Sequence, residues 1–294
     1  RWLPRVSRSE NSCIGLIATL SMLLAVSVLC SAPLNAAPIS LFEASVEVEG
    51  DTSAERRRAA PIALRQVLIK ARGDMRVFER YPSLREALAT ASNLMASYQI
   101  DQRVVIPEAG LADTVNAPEL RSEQYQQLIT IGFEPTAIRQ LLRRAGAPFW
   151  QLPRQGAIVW LAWQRDGQRE IVGVDQLPNM VELINREAEQ RGLPIVHPLL
   201  DLAERQRIDV DDIWSSDLRK LEAASEAYDK GAILFGKVAQ TYDQRYLGEW
   251  SSVVNGRVTS TQAIEVESAA DFVAAGINLV TEQLADLYLS LIHI

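Results

Sequence analysis

Histidine is the side chain most often used for acid–base catalysis, and the chain carries two, His197 and His293. His197 lies between Val196 and Pro198 in an apolar stretch, and no Gly-x-Ser-x-Gly nucleophile elbow is present. Serine and aspartate are abundant, so composition alone leaves a serine–histidine–aspartate triad open. A lone histidine in such a stretch is more often a hydrogen-bonded structural residue, and we predict that role for His197. We assign no catalytic residue.

A run of acidic residues between positions 201 and 212 offers oxygen ligands for calcium. Its members are Asp201, Glu204, Asp209, Asp211 and Asp212. An EF-hand loop also needs a turn glycine and a distal glutamate at fixed offsets, and neither stands there. We therefore favour an acidic loop that caps the helix start before Ile213 and Trp214, with calcium stabilisation as the weaker alternative. Zinc is not expected from a single usable histidine, and no metal or cofactor site is predicted.

A basic helix and five tryptophans are the remaining candidates for binding. The helix begins with Arg56–Arg58 and continues with Arg65, Lys70 and Arg72. Its apolar face lacks large aromatic side chains, so a solvated helix face is favoured over docking on anionic lipid.

The tryptophans are expected to pack in the core or at a domain joint. Trp160 and Trp163 are three residues apart in one strand, so their side chains must lie on opposite faces of it. The five are Trp150, Trp160, Trp163, Trp214 and Trp250.

Hydrophobic periodicity places these residues in an α+β protein of two modules, each a mostly antiparallel or mixed sheet with helices packed on it. The N-terminal module, residues 37–147, has the predicted order β-α-α-β-β-α. It contains a capping box at Thr52–Glu55, a second box at Ser83–Glu86 and a long polar loop at Pro107–Arg121. A joint rich in glycine and proline, Gly146–Gly156, follows, with Phe149 and Trp150 inside it.

The C-terminal module, residues 148–289, alternates strands and helices. Asp166-Gly167 and Asn255-Gly256 predict hairpin turns, because these residues tolerate a positive φ. The final helix carries apolar residues at spacings of four and three, which predicts packing on its own sheet rather than a partner zipper. These residues are Val273, Ile277, Val280, Leu284 and Leu287.

Residues 1–36 have the layout of a secretory signal peptide. Arg1, Arg5 and Arg8 precede the apolar run Ile14–Leu29, and cleavage is expected after Ala36. An uncleaved anchor is the alternative, but the run of about 16 residues falls short of the ~20 that span a bilayer. Cleavage would remove both cysteines of the chain, and the product would be periplasmic and free of disulfides. It would also remove three basic residues and one acidic residue, taking the net charge from −7 to −9.

The two ends of the sequence carry separate expectations. The chain starts with Arg1 rather than Met, which is typical of an incomplete reading frame. Residues 290–294, Ser-Leu-Ile-His-Ile, break the preceding helical pattern and resemble translated adapter sequence. We predict a non-native tail there and draw nothing from His293.

A set of short motifs runs through both predicted modules: Val46–Gly50, Arg56–Arg58, Ala63–Leu68, Gly73-Asp74, Phe133–Pro135, Pro148–Trp150, Val159–Ala162, Gly192–Pro194, Leu199–Leu202 and Ile213-Trp214. In combination they resemble domain of unknown function 2066, a family of uncharacterised exported gammaproteobacterial proteins. More loosely, Ala232–Val238 before two further strands looks like the α/β domain of the Tol-system propeller protein. The resemblance implies export and brings no established activity, so it assigns no site residue.

These observations favour a non-catalytic binding or scaffolding module of the cell envelope, contacting an envelope protein or peptidoglycan. The alternative is a metal-free hydrolase that acts on envelope glycan through two carboxylates. A net negative charge argues against a nucleic-acid partner, since phosphate binding needs a concentrated positive surface. No second apolar run is long enough to span a membrane, so no integral membrane domain is expected after signal cleavage.

Overall fold

Two β-sheets organise the chain, which we describe from a computed structural model of residues 40–105, 124–261 and 263–292. These described residues belong to one compact unit. The predicted signal peptide with its cleavage site after Ala36, the loop at 107–121 and the last two residues of the predicted tail lie outside the described residues. The boundary between modules at residues 147 and 148 stays a prediction, whereas the α+β class is confirmed.

The first sheet has three antiparallel strands, β1 (Glu43–Glu47), β2 (Met95–Val105) and β3 (Gln124–Phe133). The long strand β3 lies in the centre, in the order β1-β3-β2. Its inward residues Ile129 and Ile131 pair with apolar residues of β1 and are buried. The alternating pattern of β1 therefore puts apolar side chains on one face and acidic ones on the other, as its sequence predicts.

One face of this sheet is covered by a 20-residue helix, α1 (Ser53–Arg72). Thr52 caps its start by accepting the Glu55 backbone N–H at 3.1 Å, and Gly73 ends it in the left-handed conformation with φ 71°. The remaining helices here are α2 (Val77–Arg80), α3 (Leu84–Leu88) and α4 (Pro135–Arg144). The capping box predicted at Ser83–Glu86 is wrong, because Ser83 already has helical dihedral angles and its side chain makes no cap hydrogen bond.

The second sheet is larger and mixed. Its strands are β4 (Ala157–Arg165), β5 (Gln168–Ile171), β6 (Ile195–Val196), β7 (Ala232–Gln240), β8 (Tyr246–Val254), β9 (Arg257–Ser260) and β10 (Ile264–Val266). They follow the order β10-β8-β7-β4-β5, with β6 also on β4 and β9 also on β8. β4 and β7 run parallel, while β8 returns antiparallel. Both predicted hairpin turns are confirmed, with positive φ at Asp166-Gly167 and Asn255-Gly256.

Helices cover both faces of this second sheet. They are α5 (Pro178–Arg191), α6 (Leu202–Arg205), α7 (Val210–Trp214), α8 (Leu218–Ser225) and α9 (Ala269–Ile292). One face packs against α5 and α9 and the other against α7 and α8, so the sheet separates two apolar clusters. The α9 helix continues through Ser290 to Ile292, so the break predicted at residue 290 was wrong. Within the described ranges, no helix combines the length and hydropathy needed to cross a bilayer.

Candidate functional site

The predicted joint at Gly146–Gly156 is filled by aromatic side chains. Trp150 is 2% exposed and its backbone N–H donates to the Ala71 carbonyl at 3.0 Å. Its ring lies so close to Gly73 that a Cβ there would come within 2.6 Å of it. Phe149 stacks on Phe42 with the ring centroids 6.0 Å apart. Aromatic side chains therefore fix this segment in place and leave no polar cleft between them.

Arg154 is the polar centre of the joint. Its guanidinium donates to the backbone carbonyls of Lys70 at 2.8 Å, Gly192 at 2.7 Å and Trp150 at 2.7 Å. It also lies 4.0 Å above the centroid of the Trp150 ring. Burial lowers the pKa of Arg154 to about 9, so the side chain remains a cation at neutral pH. A cation held on carbonyls at the C-terminal ends of α1 and α5 is favoured by both helix dipoles, so this residue has a structural role.

Three of the five acidic residues between 201 and 212 cap helices. Asp201 accepts the Glu204 N–H at 2.8 Å at the start of α6. Asp209 and Asp212 form a reciprocal capping box on α7, with both bonds at 2.9 Å. The capping role predicted for this loop is confirmed. Across the described ranges, no group of three or more His, Cys, Asp or Glu side chains is placed to hold a metal ion.

His197 has a hydrogen-bonded position rather than a catalytic one. Its Nε2 lies 2.9 Å from the Asn185 side-chain oxygen, and Nδ1 is buried with no hydrogen-bond partner in the part of the chain that the structure describes. Burial lowers the pKa of His197 to about 4, so the ring is neutral near pH 7. No serine or carboxylate is hydrogen-bonded to it among those residues. The structure does not bring a triad together at this histidine.

Four of the five candidate tryptophans are core residues. Trp160 donates to the Ser225 hydroxyl at 2.9 Å on one face of the second sheet, and Trp163 packs edge-on against Tyr246 on the other. Trp250 is buried and donates to the Phe272 carbonyl at 2.8 Å. Trp150 fills the joint. Only Trp214 is half-exposed.

Trp214 is covered by a cation. The Arg169 guanidinium lies 4.1 Å from the centroid of the Trp214 ring and 3.0 Å from the Asp211 carboxylate. The guanidinium occupies the ring face on which a sugar would stack. The predicted packing role therefore describes Trp214 better than ligand binding does.

The basic helix face is solvated except in its last turn. Arg56 pairs with Asp51, and Arg58 pairs with Glu55 at 2.7 Å, both near solvent. Lys70 and Arg72, by contrast, are 4% and 5% exposed. The predicted solvated face is wrong for these two, because the last turn of α1 is covered by the second half of the chain.

The two buried cations of α1 have different environments. The Lys70 ammonium donates to the carbonyls of Ser40 and Glu43 at 3.2 and 2.9 Å. Arg72 has one weak ion pair, with Asp286 at 3.8 Å. Its Nε and Nη1 atoms have no hydrogen-bond partner among the described residues. Both side chains thus tie α1 to its surroundings and offer no surface to a membrane.

An open groove of about 480 Å³ lies between α9 and the β8–β9 hairpin. The hairpin side is lined by Val254, Asn255, Arg257 and Thr259, and the helix side by Gln283, Asp286, Leu287 and Ser290. No sequence pattern predicted this groove. The Asn255-Gly256 turn predicted the hairpin, but no local pattern connects the hairpin to a helix about thirty residues further on.

The wall of the groove is held by a buried polar pair. The Ser252 hydroxyl, fully buried in β8, donates to the Gln283 side-chain oxygen at 2.7 Å. The Gln283 amide nitrogen is buried and has no acceptor among the described residues. The predicted packing of α9 on its own sheet is confirmed by the buried residues Val273, Ile277, Val280 and Leu284.

Carboxylates with a raised pKa, which a glycoside hydrolase needs for its acid, do not gather at the groove. Burial raises the pKa of Glu282, which lies 3.5 Å from Arg76 on the side of α9 that faces α1. Burial also raises the pKa of Glu187 on α5, near Arg191. Asp286 is the single carboxylate among the described residues that line the groove. The paired geometry of a two-carboxylate hydrolase is therefore not seen there.

Comparison with known proteins assigns no activity to these features. No curated protein matches the sequence. One solved structure, described as the crystal structure of an uncharacterized protein, is 15% identical, with a TM-score of 0.19; the alignment covers 47% of this chain and 95% of that one. Residues 36–151 match the family model of a domain of unknown function (DUF8605). The chain therefore contains an uncharacterised domain over those residues.

Proposed function

We propose that this chain is a non-catalytic binding or scaffolding protein of the bacterial cell envelope, exported to the periplasm after cleavage behind Ala36. The basic and apolar layout of residues 1–36 supports export. The motifs that resemble domain of unknown function 2066 support the same compartment, and we propose membership of that family. Its partner is an envelope protein or peptidoglycan.

The observation that carries a binding role is the groove beside α9. Six of its eight lining residues have polar side chains, yet it holds one carboxylate and no histidine among the described residues. Such a site can hold a ligand by hydrogen bonds and charge, but it lacks the acid and base pair that bond cleavage needs.

The rigid joint supports a scaffold rather than a moving enzyme. Trp150 and Arg154 connect α1 and α5 through four backbone carbonyls. A hydrolase that closes on its substrate uses a hinge of weakly held residues. A buried cation bonded to three carbonyls is the opposite arrangement.

Two measurements test this proposal. The full open reading frame, with a C-terminal affinity tag, is expressed in a Gram-negative host; the product is fractionated, and its N-terminus is read by mass spectrometry. We expect a periplasmic product that begins at Ala37. Purified protein is then sedimented with isolated peptidoglycan sacculi and, separately, cross-linked in envelope extract. A cytosolic product that retains Cys13 and Cys30 would overturn the compartment, and release of soluble sugar from sacculi would favour the hydrolase alternative.

A further inference from the structure

We propose that the groove between α9 and the β8–β9 hairpin binds a sugar that carries a free carboxylate, as the muramic acid unit of peptidoglycan does once its stem peptide has been removed. This inference rests on the proposed envelope function and names the ligand class of its groove. It depends on three observations: a cation without an ion pair, an amide donor without an acceptor, and a carboxylate on the opposite wall.

The cation is Arg257, on β9. It is exposed, and no ion pair joins it to any residue within the described ranges. The neighbouring Asn255 and Thr259 side chains line the same wall and can donate hydrogen bonds. A guanidinium binds a carboxylate through two parallel N–H bonds, so an anionic group on the ligand fits this wall.

The amide donor is Gln283, on the helix wall. Its oxygen is occupied by the buried Ser252 hydroxyl at 2.7 Å, which fixes the orientation of the amide. Its nitrogen lacks an acceptor among the described residues, and a buried donor without a partner costs free energy. Because this nitrogen is buried, the amide must turn toward the groove to meet a ligand, and an oxygen-rich ligand then supplies the missing acceptor.

The carboxylate is Asp286, one helical turn from Gln283. Its side chain is 63% exposed, and its ion pair with Arg72 is long, at 3.8 Å. It can therefore accept hydrogen bonds from the hydroxyl or amide N–H groups of a ligand. Positive charge on one wall and negative charge on the other select a molecule with an anionic end and a donor-rich end, which describes a sugar acid. Ser290, in the last turns of α9, also lines the groove.

The groove volume agrees with a ligand of this size. About 480 Å³ lies within the range of roughly 300–1,000 Å³ that small-molecule sites occupy. The lining contains no aromatic side chain, so affinity must come from hydrogen bonds and charge. We expect weak binding to one sugar unit and tighter binding to a glycan strand that extends along the groove.

The test is an NMR titration of the ¹⁵N-labelled protein with three probes. N-acetylmuramic acid carries the carboxylate on a lactyl ether, N-acetylglucosamine lacks that whole lactyl group, and glucuronic acid carries a carboxylate on another sugar. We expect N-acetylmuramic acid to shift the amide signals of residues 254–259 and 283–287, and N-acetylglucosamine to bind at least about tenfold more weakly. If glucuronic acid binds as tightly as N-acetylmuramic acid, the proposed sugar-acid chemistry is supported and the ligand can be any sugar acid. Equal binding of N-acetylglucosamine overturns the role of the carboxylate.

Two variants locate the site. Arg257→Gln removes the charge at an exposed position, and Gln283→Glu replaces the amide donor with an acceptor while leaving an oxygen for Ser252. Each is expected to weaken N-acetylmuramic acid binding about tenfold, whereas Arg219→Gln, an exposed arginine on α8, leaves it unchanged. Shifts that map outside the groove in the wild-type protein overturn the inference even if a variant unfolds. Sacculus binding that survives Arg257→Gln overturns the groove assignment and leaves the envelope function standing.

Discussion

Replacing Arg154 with methionine tests whether the joint is held by the hydrogen bonds of its buried cation. Arg154 is 7% exposed and donates to three backbone carbonyls at 2.7–2.8 Å, those of Lys70, Gly192 and Trp150. Methionine keeps an apolar chain against the Trp150 ring but donates nothing. The variant therefore leaves three carbonyls without this donor.

The expected loss follows from two opposing effects. Each lost bond from a charged donor contributes about 1.5–3 kcal/mol, which gives roughly 4–9 kcal/mol for three. Removing the cation also relieves the desolvation that lowers its pKa to about 9, and this offsets part of the loss. We expect a net decrease in the free energy of unfolding of about 3 kcal/mol. For a unit of this size, that corresponds to a decrease in Tm of roughly 6–12 °C.

Thermal and urea unfolding, followed by circular dichroism, measure this change. Arg154→Lys keeps the charge but places its donors on one nitrogen that cannot span three carbonyls, so an intermediate loss is expected. Arg219→Met, at an exposed position, is the control and should change Tm by less than about 2 °C. An Arg154→Met variant as stable as the wild type would refute the reasoning, because desolvation would then outweigh the three hydrogen bonds.

Three further predictions concern a glycine, a pair of tryptophans and a histidine. Gly73→Ala should lower the free energy of unfolding in urea by more than about 2 kcal/mol, because φ at this position is 71° and a Cβ has no space there. Gly146→Ala is the control: φ is 72° but nothing lies within 4 Å of the added Cβ, so the loss should be only about 1 kcal/mol. Trp160→Phe should destabilise the fold by about 1 kcal/mol more than Trp163→Phe, since only Trp160 loses a side-chain hydrogen bond, and equal losses would contradict this assignment. Folding lowers the pKa of His197 from its ordinary value of 6.5 to about 4, so the unfolded chain binds the proton first. The contribution of this residue to stability should be complete above about pH 6.5 and decrease as the pH falls to 4; an NMR titration midpoint near 6.5 in the folded protein would contradict it.

Local patterns predicted much of the secondary structure because turns and caps involve residues close in sequence. The hairpins at Asp166-Gly167 and Asn255-Gly256 follow from residues that adopt a positive φ easily. The cap at Thr52 likewise needs only the N–H of Glu55 three residues later. The box at Ser83 failed for the same local reason, since Ser83 is itself helical and its hydroxyl does not reach the free N–H groups.

Charge patterns predicted a solvated environment for two residues that tertiary contacts bury. Lys70 and Arg72 continue the basic stripe of α1, and by spacing alone they resemble the solvated Arg56 and Arg58. They are buried because the end of α1 meets both α5 and α9: a Cβ at Gly192 would lie 2.7 Å from Lys70 Cγ, and Arg72 pairs with Asp286 of α9. No sequence window of α1 contains α9, so periodicity could not separate the two halves of the stripe.

The groove, like the burial of these cations, results from contacts between parts of the chain that are far apart in sequence. Its helix wall comes from the side of α9 that carries Gln283, Asp286 and Leu287. Asp286 lies at the edge of this wall, where it also pairs with Arg72, while Glu282 turns toward Arg76 in the first half of the chain. The ion pairs and the close approach of Gly73 to Ala285 therefore fix the rotation of α9, and that rotation decides which residues face β9. Because the rotation is set by contacts more than 200 residues apart in sequence, a binding surface on α9 follows from the fold as a whole and from no motif within it.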